Sequence, residues 1–311
     1  MGLDSNALHS WCLRWSQLHR MPTATSTHGF PLDRYKTCTN IPRNEVSRAS
    51  KTAPIKYRDG GVTVARVHTE MVVKFGHDVG RPEAENMRFV AHRTDILLPT
   101  VMDAWEEPSE DKTEERDIGY ITMTYVEGDI LSEAWPKLHV HARENIYHQL
   151  LRYISQLHLI QLNTPGPIGG GISHSTLFTN YGAGPFYTVE ELEAWFNERL
   201  VVCQQFGRAP HEQPTFTGQL RPLVMCHLDL FPRNMILDLQ GRVWLLDWEY
   251  AGAYPEHFEN AVLAKEDSDF SRGLLQLLGH SETTQEKVGR LSAIGFALST
   301  AGVTRPTGYR G

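Results

Sequence analysis

The residue types and spacing that could do chemistry lie between His227 and Asp247. The run His227-Leu228-Asp229-Leu230-Phe231-Pro232-Arg233-Asn234 carries a carboxylate and a carboxamide, and Asp247 adds a second carboxylate downstream. All three offer hard oxygen atoms, which suit a magnesium ion. Such a set can move a phosphoryl group: one carboxylate orients or receives the proton of an acceptor hydroxyl, and the other oxygens hold the cation that bridges the phosphates. The spacing His-x-Asp-x-x-x-x-Asn, with a further Asp at the end of the next hairpin strand, is the catalytic-loop pattern of kinases. His, Asp and Asn also gather in ordinary turn-rich loops, because all three favour turns. A metal hydrolase would need more His or Cys ligands at short spacing, and none is nearby.

The elements that must position these groups adjoin them. Leu223–Cys226 predicts a short strand, and Pro232 is expected to keep the following loop from becoming helix. Met235–Leu237 and Val243–Leu246, joined by a turn at Asp238-Leu239-Gln240-Gly241, predict a two-stranded hairpin that returns Asp247 to the side of Asn234.

With Asp247-Trp248-Glu249-Tyr250-Ala251-Gly252-Ala253-Tyr254-Pro255-Glu256, this stretch resembles the aminoglycoside phosphotransferase and choline kinase-like small-molecule kinases, and looks closest to their fungal-type branch. The resemblance covers roughly residues 55–260. It implies an α+β, two-lobed, protein-kinase-like fold, with a small antiparallel-sheet lobe and a mainly helical one. It further implies that Asp229 is the catalytic base, that Asn234 and Asp247 ligate Mg²⁺, and that His227 is a structural member of the catalytic loop. The implied substrates are ATP, or GTP, and a small molecule bearing a hydroxyl. Glu249, Glu256 or Glu259 could meet a cationic group on that acceptor, or could be solvated. A protein kinase fits less well, since Asp-Trp-Glu stands in place of Asp-Phe-Gly and no Ala-Pro-Glu follows.

The first half supplies the nucleotide side of this reading. Ala53–Tyr57, a turn at Arg58-Asp59-Gly60-Gly61, Val62–Val67 and Glu70–Phe75 predict an antiparallel meander. The strand period sets Lys74 on the face opposite Val73 and Phe75. A lone lysine is usually a surface residue, but the kinase frame aims this one at the nucleotide's α- and β-phosphates. Gly60 and Gly61 sit where a phosphate-covering loop belongs, and glycine lets backbone N–H groups come close. The pattern Gly-x-Gly-x-x-Gly is absent, however, and a plain hairpin turn explains Asp-Gly-Gly equally well. Pro82 opens a helix over residues 83–93, placing Glu83 on one face with Met87 and Val90 as a partner for Lys74, with Glu85 as second choice. Leu97–Met102 and Ile118–Tyr125, around an acidic loop at 106–117, are expected to complete five strands. At the junction Tyr125–Gly128 the resemblance places the adenine contacts, the Thr124 carbonyl and the Val126 N–H.

Helical periodicity follows: one helix over 142–160, one opened by a Thr188–Glu191 capping box, and two over 257–278 and 283–299. The glycines at 166–171 read as loop. Leu8, Trp11, Trp15 and Leu18 mark an N-terminal helix over 4–19, and 21–54 reads as linker. The expected organisation is therefore an extension at 1–52, a small lobe at 53–125 and a large lobe at 126–311.

Composition narrows the classes. Hydrophobic residues make up 41% and mean hydropathy is −0.37, as in ordinary globular proteins. No apolar run is long enough to span a membrane, and the N-terminus lacks a signal-peptide pattern. Asn6 stands where a myristoylation signal needs Ser or Thr. A net charge of −7 argues against nucleic acid. Four dispersed cysteines point to the cytoplasm. The absence of Gly-x-x-x-x-Gly-Lys-Ser/Thr excludes a P-loop enzyme. Two readings stand: a small-molecule phosphotransferase, and a catalytically silent kinase-fold protein that holds a nucleotide or partner.

Overall fold

A computed structural model describes residues 29–109, 116–279 and 281–299; the helix expected over 4–19 lies outside them. The small lobe opens with helix α1 (Arg43–Ser50) and strands β1 (Ile55–Asp59), β2 (Val62–His68) and β3 (Met71–Gly76). Helix α2 (Arg81–Ala91), β4 (Val101–Glu107) and β5 (Ile118–Thr124) follow. The five strands form one antiparallel sheet in the order β1-β2-β3-β5-β4. Alternation along β3 gives the sheet its two faces: Met71 and Val73 are buried on one, Val72 and Lys74 on the other.

The first face is covered by a segment whose sequence predicts a linker. Leu32, Val46, Ala49 and Ala53 pack on Ala65, Val67, Met71, Val73, Trp105 and Tyr120. Residues 29–53 therefore belong to the small lobe's core. The stretch hides this because α1 has few apolar residues and docks partly through polar ones. Arg43 pairs with Asp103 at 2.7 Å, and Ser47 Oγ donates to Glu107 at 2.8 Å. A second correction concerns β4, which starts at Val101 rather than Leu97 and continues through Glu107, inside the expected acidic loop. Pro99 has no N–H for a ladder, and β4 is an edge strand, where Glu106 and Glu107 can reach water.

The large lobe contains β6 (Asp129–Ile130), α3 (Leu131–Ala134), α4 (Val140–His158), β7 (Gln161–Leu162), α5 (Val189–Gln205), β8 (Leu223–Cys226), β9 (Met235–Leu237), β10 (Val243–Leu245) and β11 (Gly252–Pro255). It closes with α6 (His257–Leu263), α7 (Asp269–Leu278), α8 (Glu282–Ala293) and α9 (Gly295–Ser299). Along α4, Ile146, Leu150, Tyr153 and Leu157 are buried at helical spacing, each contributing on the order of 2 kcal/mol. The Tyr153 hydroxyl donates to the Val243 carbonyl at 3.0 Å, tying this helix to the β9–β10 hairpin. Thr188 caps α5 by accepting from Glu191 N, while the Glu191 carboxylate reaches back to Tyr187 N, one residue beyond a regular capping box.

Each of the two C-terminal helices expected from periodicity is broken in two. Residues 264–268 turn the chain, with Ser268 accepting from Ser271 N to start α7, and Ile294 ends α8. Apolar spacing runs across both breaks, so it does not show them. Strand β11, paired antiparallel with β8, was not expected either, being too short to show alternation. Among the described residues no helix is long and apolar enough to cross a membrane.

Candidate active site

Strand β8 is buried along its whole length and delivers His227 into the loop. The His227 ring is fully buried, and its Nε2 lies 3.1 Å from the Leu246 carbonyl. Burial pushes its pKa down to about 4, so the ring is neutral and Nε2–H donates. This bond joins the loop to the residue before Asp247. At Leu228 the backbone turns left-handed, with φ 60°, a conformation that costs a branched residue energy and needs support. The support is Glu259 on α6, buried to 1% exposure, whose carboxylate accepts from His227 N at 2.9 Å and Leu228 N at 3.2 Å. Burial raises the Glu259 carboxyl to about 7. Glu259 is thus a strut and not a contact for a cationic acceptor. Glu259→Ala leaves two buried donors unsatisfied, and we expect a loss of about 2–4 kcal/mol in urea-unfolding stability. Wild-type stability in the variant would show that the clasp carries nothing.

Beyond Asp229 the loop closes in a single 3₁₀ turn, Pro232–Asn234, with proline at its start, so Pro232 opens a short helical turn where it was expected to prevent one. The β9–β10 hairpin forms as expected, and Leu246 N donates to the Asn234 carbonyl at 2.9 Å. Asn234 Nδ2 donates to Asp229 Oδ2 at 2.5 Å, and Arg233 donates to Asp229 Oδ1. Asp247 also sits in the left-handed region, at φ 59°. From the small lobe Lys74 reaches across: its Nζ lies 2.8 Å from Asp247 Oδ1 and 2.8 Å from Glu83 Oε2, with Glu249 at 3.8 Å. Burial pulls the Lys74 pKa down, but Asp247, Glu83 and Glu249 outweigh it and hold the ammonium charged. Glu83 is the buried partner that helical spacing selects; Glu85 is exposed. Lys74 thus contacts Asp247, Asn234 contacts Asp229, and the two pairs are joined through the backbone of Leu246, the residue before Asp247.

The family model of the phosphotransferase enzyme family matches residues 59–289. The chain belongs to the phosphotransferase enzyme family. Several solved structures share the fold of this chain. A thermostable mutant of aminoglycoside phosphotransferase APH(4)-Ia, in ternary complex with ADP and hygromycin B, is 14% identical with a TM-score of 0.56, over 78% of this chain and 83% of that one. Another structure of aminoglycoside phosphotransferase APH(4)-Ia gives 14% identity and a TM-score of 0.52, over 78% and 82%. The GDP complex of wild-type aminoglycoside 2'-phosphotransferase-IIIa gives 14% identity and a TM-score of 0.50, over 78% and 82%. No curated protein matches the chain.

The Gly60-Gly61 turn folds toward the end of β3: Asp78 N donates to Gly61 O at 3.4 Å, and a side chain on Gly61 would meet the Asp78 carboxylate. At the lobe junction Thr124 N donates to Thr100 O at 3.0 Å and Tyr125 N to Glu70 O at 2.8 Å. Gly128, at φ 155°, passes so close to β9 that a Cβ would lie 2.5 Å from the Leu237 carbonyl. Glu256 is exposed at the start of α6, whereas Glu249 lies in the cleft, where burial and then Asp247 raise its carboxyl to about 8. Asp229 is raised to about 6 by burial, with Arg233 opposing.

Sequence reasoning missed three residues here. Tyr57 on β1 feels Asp247, Lys74 and Glu249, and burial raises its phenol. Arg233 touches Asp229 directly, and its place within the eight-residue motif could have flagged it. Asn86 on α2, fully buried, donates to the Trp248 carbonyl at 2.9 Å and the Ala251 carbonyl at 2.8 Å and accepts from Ile168 N at 2.9 Å. Nothing but its position one turn from Glu83 hints at this.

Proposed function

We propose that this protein moves the γ-phosphate of ATP, or GTP, to a hydroxyl on a small molecule, with Mg²⁺, in the cleft between its lobes. The observation that carries this reading is that Lys74 stands on Asp247 while Leu246, the residue before Asp247, is hydrogen-bonded to Asn234, which in turn holds Asp229. Residues 53–125 serve the nucleotide and the residues after Val126 supply the catalytic loop and acceptor side. Lys74, held by Glu83, meets the phosphates, which the Gly60-Gly61 turn covers. The Thr124 carbonyl and the Val126 N–H hold the base.

Asp229 takes the proton of the acceptor hydroxyl, as general bases do within hydrogen-bond reach. His227 keeps the loop in register with Asp247. The donor set fits magnesium: Asn234 turns its amide nitrogen to Asp229, which leaves its carbonyl oxygen for a cation, and Asp247 gives one oxygen to Lys74 and keeps the other. When bound there, Mg²⁺ would offset the negative charge of the phosphates. Acceptors to try first are polyhydroxylated small molecules, cationic ones included, since hygromycin B occupies a structure of the same fold. Among the described residues the thiols of Cys38, Cys203 and Cys226 are free, which agrees with a cytoplasmic protein.

The test is consumption of the γ-phosphate of MgATP and MgGTP over a library of small hydroxyl compounds. We expect turnover with at least one class, abolished by EDTA. Nucleotide binding without consumption across a broad library would overturn the reading in favour of a silent kinase fold.

A further inference from the structure

The phosphoryl transfer above leaves one cation of the cleft without a task. Arg233 donates from one terminal nitrogen to Asp229 Oδ1 and from the other, at 3.3 Å, to Glu266 Oε2. Its guanidinium carbon lies 4.4 Å from the centre of the Phe231 ring. With Asn234 Nδ2 on Oδ2 at 2.5 Å, both oxygens of Asp229 are engaged. A base so enclosed must release one oxygen before a hydroxyl can use it.

The two partners are not equally free to leave. Asn234 is 3% exposed, donates also to the Asp229 carbonyl at 3.1 Å, and has its own N–H fixed to Phe231 O at 2.8 Å. Arg233 has a long side chain, 27% exposed, and a second carboxylate already in contact. Arg233 is therefore the partner that yields. The Phe231 ring and Glu266 keep its guanidinium beside Asp229 when it does.

Charge gives that position a use. Glu83, Asp229, Asp247, Glu249 and Glu266 crowd this cleft, and among the described residues Lys74 and Arg233 are the cations paired with them. Lys74 stands on Asp247, and Arg233 stands on Asp229. A phosphoryl group passing between the Asp247 side and a hydroxyl on Asp229 comes within reach of both. The planar fork of an arginine suits two phosphoryl oxygens at once, which a lysine cannot match.

We propose that Arg233 is a catalytic residue, which gives up Asp229 Oδ1 to the acceptor hydroxyl and donates to the oxygens of the transferred phosphoryl group. This rests on the phosphotransferase reading above. As the acceptor oxygen bonds to the γ-phosphorus, the bond from that phosphorus to the β–γ bridging oxygen breaks. Its electron pair leaves with the nucleoside diphosphate, and the acceptor proton passes to Asp229. Arg233 supplies charge and hydrogen bonds and exchanges no proton.

Calorimetric titration of the full chain with MgADP, with and without aluminium fluoride as a mimic of the transferred group, separates this from a structural role. Arg233→Met is expected to weaken binding of the mimic complex by about 10²–10³-fold, as loss of one strong transition-state donor does, and to leave MgADP affinity within about threefold. Arg233→Lys should recover only a minor part of the loss. Equal loss on both ligands, or no loss on the mimic, overturns the proposal. So does a wild type that binds MgADP yet gains nothing from aluminium fluoride. A wild type that does not bind MgADP overturns the phosphotransferase reading itself, a result distinct from any failure confined to Arg233.

Discussion

Asp229→Asn is expected to lower phosphoryl transfer by about 10²–10⁴-fold, the usual weight of a positioned general base, with the nucleotide KM within about threefold of wild type. Asparagine keeps the size of the side chain but cannot take a proton, so the loss should fall on kcat. The nucleotide contacts proposed here, Lys74 and the Thr124–Val126 segment, lie on the other lobe and are untouched. Steady-state kinetics with whichever acceptor the library yields reads this directly. Equal turnover in variant and wild type would remove Asp229 from the reaction. A loss confined to KM would make it a binding residue instead.

Lys74→Met is expected to destabilise the fold by about 3–5 kcal/mol, because removing one member of a buried ion pair leaves its partners uncompensated. Lys74 is 7% exposed beside Glu83 at 3%, so water cannot substitute for the lost cation. The effect should depend on pH in a definite direction. Burial already raises Glu83, and burial together with Asp247 raises Glu249 to about 8. Without Lys74 the folded-state values of these carboxyls rise further above their unfolded values. Groups raised in the folded state favour folding while protonated and lose that contribution as pH climbs through the raised values. Urea unfolding in EDTA should therefore show a gap between variant and wild type that is wider at pH 8 than at pH 5. A gap that is flat with pH, or absent, would mean that Lys74 does not neutralise this cluster.

The parts of the site that were legible in sequence are those built by neighbours along the chain. Asp229, Asn234 and Asp247 come together through one loop and one hairpin, and strand alternation alone puts Lys74 on the inner face. Glu83 follows from helical spacing. Elsewhere the deciding contact is made far away in sequence. Glu259 reaches His227 from 32 positions downstream, so as a lone glutamate it was easily taken for a solvated or substrate-facing residue. The helix at Arg43–Ser50 is polar enough to pass for linker until Asp103 and Glu107 are seen opposite it. Arg233 lies inside the motif, yet residue type alone does not say that its fork closes on Asp229.

Asn86 bears on how such a protein would be controlled. Its carboxamide bolts the helix that carries Glu83 to backbone on the opposite lobe. Swinging that helix outward, as a switch would require, breaks three buried hydrogen bonds together with the ion pair, which carries a cost of several kcal/mol. Asn86→Ala removes that bolt, so the helix bearing Glu83 then depends on the Lys74 ion pair to stay against the opposite lobe's Trp248 and Ala251 backbone.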